Sequence, residues 1–420
     1  MLKKILRRIT NRLKRTVRLT FMRYIKYNQQ YRPLGVKKLS EKNSGIELLE
    51  LNPPYISTLD LAPKFLEDCS WHSKPVVSVQ VPADYIATIK DGRIYASDYN
   101  NYAVISGDNY LIAEPSYQWN DARVEPENNV VFKIRGFSKP KKYRGRVFSL
   151  LTLGAAKHYY YHWVFDAVAK LRLLKQSGLF NEVDYFLVPN YQYQYNKEYL
   201  SQFGIPESKI INEEVEHHIQ ADHLMVCSFV RNEEHLPKAT CDFLYNSFIN
   251  SIEKQKSKRA IYIARGDAAK SRKVSNKPEL MAILRKYGVE IHYLSKISVL
   301  EQVKLFNSAN VVIGVHGGGF SNLVYCEPGA KVLEIFPDQY VRHYFYDICT
   351  KKGLSYDYLL CKSDRIVANH FEGEAVGLTV DLDAIEEKIK LLGLQDTYSR
   401  SSSPLHGPVN DSSHNRAIAS

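Results

Sequence analysis

From Ala260 to Leu360 the chain repeats one unit, a short β-branched run followed by a helical window. The runs are AIYIA at 260–264, VEIHYL at 289–294, VVIGV at 311–315, KVLEIF at 331–336 and SYDYLL at 355–360. Helical windows at 277–287, 298–308 and 341–352, with a short helix from about 319, fall between them. Strands separated by helices cannot be joined by hairpins, so they run parallel under crossover helices that cover both faces of a sheet. Ligands of such a sheet bind outside the carboxyl ends of its strands. This half of the chain is therefore α/β, and its chemistry is expected at the strand ends.

The preceding half repeats the rhythm less regularly: RVFSLLTL from 146, a helix from about 155 to 176, DYFLVP at 184–189, a helical stretch near 197–203 and HLMVCSFV at 223–230. Ahead of it, VVSVQV at 76–81, DGRIYASD at 91–98 and NVVFKI at 129–134 read as short β runs with turns. A helix over 238–256 links the halves. The expected organisation is an arm over 1–40, a first domain over 45–255, a second domain over 256–375, a helix over 380–395 returning to the first half, and a polar, Ser-rich disordered tail over 397–420.

Charge separates the arm from the body. The 420 residues carry a formal charge of +12, yet residues 1–40 hold 13 Lys or Arg and no acid, leaving 44 basic against 45 acidic residues elsewhere. A nucleic-acid-binding body is excluded by that balance. In the arm, Leu2, Ile5, Leu6, Ile9, Leu13, Val17, Phe21 and Ile25 recur at steps of three and four. Lys3, Lys4, Arg7, Arg8, Arg12, Lys14, Arg15 and Arg18 crowd the other faces. This basic amphipathic helix suits an anionic membrane surface; packing on its own domain, or binding nucleic acid or an acidic protein, are the alternatives. No window reaches the length of a membrane span, and the arm lacks the apolar core of a signal peptide. The six cysteines show no CxxC pair or zinc spacing and read as buried thiols in a reducing compartment.

Three segments carry candidate chemistry. In VVIGVHGGGFSN, 311–322, Gly317, Gly318 and Gly319 let backbone approach a ligand, the following helix start suits a phosphate, and His316, Ser321 and Asn322 add polar groups; tight packing of strand and helix is the plain alternative. Glu334, at the end of the next strand, is placed for a ribose hydroxyl or for a salt bridge. In 260–280, Arg265 leaves a buried strand, with Lys270 and Arg272 in the loop after it, and guanidinium forks match phosphate oxygens; a solvated basic loop is the plain alternative. In 154–174, His158, His162 and Asp166 stand at successive i, i+4 positions. They can form an acid/base pair, a structural polar cluster or, less readily, part of a metal site.

HYYYHWVFD (158–166), ARGDAAKSR (264–272) with Asn276, and GVHGGGFSN (314–322) with PGAKVLEIFP (328–337) together resemble glycosyltransferase family 61 in a bacterial-type form, over about 146–362. The resemblance implies a GT-B-like fold of two Rossmann-like doubly wound halves facing a cleft. It further implies inverting transfer from a nucleotide sugar to a glycan acceptor, with no metal or other cofactor. On this sequence it places Arg265, Arg272 and the turn from His316 to Asn322 on the donor diphosphate and Glu334 on the ribose, with His162 or Asp166 as acceptor-side base. The turn reads HGGGFSN where the family commonly has HGAGLTN, and Lys277 stands where an acid often follows Asn276. Combined with the arm, the expected setting is the cytoplasmic face of a membrane, in capsular or lipid-linked polysaccharide synthesis. A polysaccharide pyruvyltransferase-like enzyme and a non-catalytic nucleotide-sugar-binding or membrane-scaffolding protein are the competing readings.

Overall fold

A computed structural model describes residues 29–396 apart from 42–44, 71–73, 99–100, 121, 135, 153–156, 232–234, 254–257 and 267–270. The expectations for the arm up to residue 28, including Lys3 to Arg18, for Lys270 and for the tail from 397 lie outside the described residues, while the last part of the expected arm joins the first half, Val36–Lys37 pairing with Leu111–Ile112. The rest is a mixed α/β protein in two halves.

The regular βαβ rhythm folds as the sequence predicts. Arg259–Ile263, Glu290–His292, Ala309–Val315, Lys331–Pro337 and Ser355–Ser363 form a parallel sheet, closed by the antiparallel Leu378–Thr379. Numbered along the chain, the parallel strands lie in the order 2-1-3-4-5. The first and third strands are therefore neighbours whose connections leave in opposite directions, and the crevice opens there. Period-two alternation buries both faces. Val311, Ile313 and Val315 pack with Leu280, Leu284, Ile385 and Ile389 on one side, and Val312 packs with Val303, Phe306 and Ile348 on the other.

The helix Leu382–Leu391 corrects one expectation. Its apolar face, Ile385 and Ile389, covers the second half's own sheet. Glu386 accepts from Lys286 Nζ at 2.8 Å and Tyr287 Oη at 2.6 Å. It completes that half and does not return to the first, because the exposed sheet face beside it is the nearest apolar surface.

The first half is built on a twelve-stranded mixed sheet. His218–Cys227, Lys141–Ser149, Tyr185–Val188 and Ile210–Asn212 form a parallel run, and the segment before residue 124 adds antiparallel strands to it. Of the β runs, DGRIYASD joins this sheet through Arg93–Asp98, whereas VVSVQV supplies Ser78–Val81 to a separate antiparallel pair with Tyr55–Thr58. NVVFKI is not a strand: Val130–Lys133 is a 3₁₀ turn, because the Asn129 side chain accepts from Val131 N at 2.9 Å and curls the backbone.

The halves share a core. Trp163, Phe165, Tyr199 and Phe248 from the first lie in one apolar cluster with Phe306, Phe320, Tyr325 and Phe345 from the second. The helix Pro63–Asp68, early in the chain, also crosses over. Its buried Phe65 lies 4.8 Å from the Tyr346 ring and 4.9 Å from that of Tyr358.

Candidate functional site

The loops after the first and third strands of the parallel sheet meet at Arg265 and the glycine turn. Arg265 Nη1 donates to the His316 carbonyl at 3.1 Å and Nη2 to Ser271 Oγ at 3.0 Å, while its buried Nε has no hydrogen-bond partner. A Cβ on Gly317 would stand 2.3 Å from Arg265 Nη1, so only glycine lets the guanidinium lie against the turn. Gly319 packs less tightly but still closely, with Leu294 Cδ1 at 3.0 Å and Ile263 Cγ2 at 3.1 Å from where its Cβ would be.

Arg272 approaches from the same loop. Its φ of 51° lies in the left-handed region, unusual for a side chain of this size, and it donates through Nη1 to the Glu374 carbonyl at 2.9 Å. Its guanidinium lies 5.5 Å from the Tyr340 ring centre, and its Nε is buried without a partner. No carboxylate among the described residues pairs with Arg265 or Arg272. Burial, then Arg272, pulls the Arg265 guanidinium down to about 10; burial also lowers that of Arg272. Two half-buried like charges that no carboxylate among the described residues pairs with are costly to hold together, and that cost is relieved when an anion binds.

Cavities of about 260 and 250 Å³ adjoin Arg265 and Gly266. The first is lined also by Ser271, Arg272, Lys273 and Lys277, the second by Leu294, Ser295 and the glycine turn. Lys277, the departure from the family pattern, thus adds a cation to the same space. A cavity of about 320 Å³ between Lys90, Asp91 and Asp108 lies on the other half and holds none of these groups.

Several turn residues point inward. Asn322 is buried, donating to Gln302 Oε1 at 3.0 Å and accepting from Tyr160 Oη at 3.0 Å, and Ser321 is buried beside it. Glu334 is 0% exposed: Oε1 lies 2.6 Å from His316 Nδ1 and Oε2 accepts from Tyr356 Oη at 2.6 Å. It cannot reach a ribose, which corrects its expected role; it orients His316. Burial pushes the Glu334 carboxyl up, and burial together with Arg272, Arg342 and Arg265 pushes His316 down, so both shifts favour the uncharged forms.

The aromatic helix comes to this site from the other half. Gly318 lies against Tyr160 and Tyr161, its missing Cβ 3.7 Å from Tyr160 Cβ and Tyr161 N. The helix starts at Tyr160, so His158 precedes it and is off the His162–Asp166 face. A π turn, Trp163–Val168, then replaces the regular helix and carries Asp166. His162 Nδ1 lies 2.6 Å from Asp166 Oδ2. Arg231, absent from the expected site, donates through Nε to Asp166 Oδ1 and through Nη2 to Oδ2 at 3.2 Å. Burial raises the Asp166 carboxyl, but Arg231 and then His162 outweigh it and hold the group well below the carboxylate range. An ionised Asp166 only accepts, so His162 Nδ1 carries the proton between them, and Nε2 is the ring nitrogen left to face other groups. The His162 side chain is 28% exposed against 5% for Asp166, and the exposed Tyr159 ring is 6.4 Å from it. The signal for Arg231 is its place beyond the carboxyl end of a parallel strand, the same position that marks Arg265.

Residues 160–333 match the model of the family Glycosyltransferase 61. This span is a glycosyltransferase 61 domain. The matched span runs from the aromatic helix through the glycine turn and leaves Glu334, Tyr340 and Glu374 beyond its end. A β-1,2-xylosyltransferase of Arabidopsis thaliana is 29% identical over 112 residues, 26% of this chain and 19% of the relative. A β-1,2-xylosyltransferase of Oryza sativa subsp. japonica is 42% identical over 60 residues, 14% and 11% of the two chains. A xylan glycosyltransferase of Arabidopsis thaliana is 27% identical over 93 residues, 21% and 19%. The matched regions span about a fifth or less of these relatives, all three from plants. No group of three or more His, Cys, Asp or Glu side chains among the described residues is gathered to hold a metal ion. All six cysteines are buried thiols.

Proposed function

We propose that this protein is an inverting glycosyltransferase of GT-B-like architecture, moving a sugar from a nucleotide-sugar donor to a glycan acceptor without a divalent metal. The observation that carries the reading is Arg265 and Arg272, two half-buried guanidinium groups, each with a buried Nε lacking a hydrogen-bond partner and neither paired with a carboxylate among the described residues, at the switch point of a parallel sheet. The donor diphosphate neutralises them. As the bond to the sugar breaks, they and the glycine-turn amides stabilise the charge that develops on the leaving nucleotide. That is the part a divalent cation takes in other transferases.

Across the crevice His162 Nε2 takes the proton of the acceptor hydroxyl as its oxygen attacks the anomeric carbon, and Asp166 stabilises the imidazolium that forms. One displacement inverts the configuration. The named relatives favour a pentose, xylose, as the sugar and a glycan as the acceptor.

A thermal-shift screen against UDP, GDP, CDP and ADP, with and without EDTA, tests the donor side. Ligand at 100 times its Kd stabilises the fold by about 2.7 kcal/mol. The expected result is a shift with one nucleotide that survives EDTA and is lost in Arg265→Ala. A shift that requires metal, or none with any nucleotide, would overturn the reading.

A further inference from the structure

After the strand Ser355–Ser363 the chain crosses over residues 364–377, including the short helix His370–Ala375, before Leu378–Thr379 rejoins the sheet. This strap is tethered to the proposed diphosphate site. Its Glu374 carbonyl accepts from Arg272 Nη1 at 2.9 Å, and its Glu374 carboxylate lies 3.1 Å from His370 Nε2. A row of rings climbs onto it from the glycine turn. Centroids are 5.7 Å apart from His316 to Tyr340, 5.8 Å from Tyr340 to His370, and 5.6 Å from His370 to Phe371. The row begins buried and ends at Phe371, which is 68% exposed.

A lone exposed phenylalanine needs no explanation. This one closes an aromatic row whose middle member, Tyr340, also lies under the Arg272 guanidinium. A nucleotide with its phosphates on Arg265 and Arg272 carries its flat base a ribose's length away. A ring presented from a strap fixed to Arg272 offers that base a face to stack on. We propose that Phe371 is the base-stacking wall of the nucleotide site, positioned by the contacts of Glu374 with Arg272 and His370. The proposal rests on the diphosphate reading of the two arginines. Stacking tolerates every base, so Phe371 sets nucleotide affinity and leaves the choice of base to other groups.

Titration calorimetry on the full chain with inorganic pyrophosphate and with UDP, GDP, CDP and ADP separates the two readings. In Phe371→Ala, whichever nucleoside diphosphate binds the parent should bind about tenfold or more weakly, with pyrophosphate affinity unchanged. Phe371→Trp should restore nucleotide binding. Unchanged nucleotide affinity in Phe371→Ala, with pyrophosphate still bound, overturns the stacking wall and leaves the diphosphate site standing. Equal loss of pyrophosphate and nucleotide would show that Phe371 acts by placing Arg272, which also overturns it. If neither pyrophosphate nor any nucleotide binds the parent, the diphosphate reading itself fails. Phe371 is largely exposed, so its variants should keep the parent melting temperature.

Discussion

Asp166 has its two oxygens committed, one to Arg231 and the other shared between Arg231 and His162. A carboxylate held this way is a poor base and a good anchor, which is why the proton of the acceptor hydroxyl falls to His162. Asp166→Asn keeps the shape and removes the charge. It should cut turnover by about 10²- to 10⁴-fold while nucleotide binding persists, and equal loss of both would make the residue structural. Arg231→Met tests the anchor through pH. Arg231 lowers the Asp166 carboxyl, so its removal raises that group, and Asp166 becomes protonated at higher pH. The acid limb of the pH–rate profile should therefore move to higher pH; an unmoved limb would remove Arg231 from the positioning role. His162 and Asp166 were visible in the sequence because four residues set them on one helical face. Arg231 is 65 positions further along, and only the fold shows that its strand end arrives at the same place.

At the scale of elements, His218 shows how a strand residue ties the long sheet to its loops. Its Nδ1 donates to the Ser138 carbonyl at 2.6 Å, and its Nε2 accepts from Arg93 Nη1 at 3.1 Å, a set of bonds that only the neutral ring makes. Burial, with Arg93 and His217 adding to it against the Ser138 bond, lowers its pKa from 6.5 to about 4. Between those values the unfolded chain takes up a proton that the folded chain refuses, so stability falls as pH drops from about 6.5 towards about 4. The loss is about 3 kcal/mol. Chemical denaturation of the parent and of His218→Asn at pH 7 and pH 4.5 should show a smaller acid loss in the variant, since the carboxylates titrate in both. Equal losses would show that His218 does not drive it. Elements with regular apolar spacing and local stop signals were readable. The helix Val299–Ser308, for example, opens with Ser298 and Glu301 in a reciprocal cap. The 3₁₀ turn at Val130–Lys133 was not, because its apolar residues are those of a strand and what bends it is one asparagine side chain. Nor was the π turn, which leaves the spacing of His162 and Asp166 unchanged.

At the scale of the molecule, the two halves are bound by more than the helix that links them. Residues 59–70 leave the first half and lie on the edge of the second: Ala62 N donates to Tyr346 Oη at 3.1 Å, Tyr358 Oη donates to Asp68 Oδ2 at 2.7 Å, and Val341 N donates to Ser70 Oγ at 2.6 Å. Nothing in the segment PKFLED announces that partner, since a short amphipathic helix carries no record of which surface it covers. Chain position assigned it to the first half, and burial assigns it to the second. Phe65 is the anchor, fully buried with Phe336, Tyr346, Tyr356 and Tyr358 around it. Phe65→Ala removes the ring from a site walled by large aromatics that cannot readily close over the space, so the cost should reach about 3–5 kcal/mol. The change should appear in urea denaturation of the full chain, together with faster amide exchange in Ser355–Ser363, the strand beneath the ring. A cost below about 1 kcal/mol would mean that the crossing segment rides on the second half without holding it. The orientation of the crevice walls would then depend on the shared core alone.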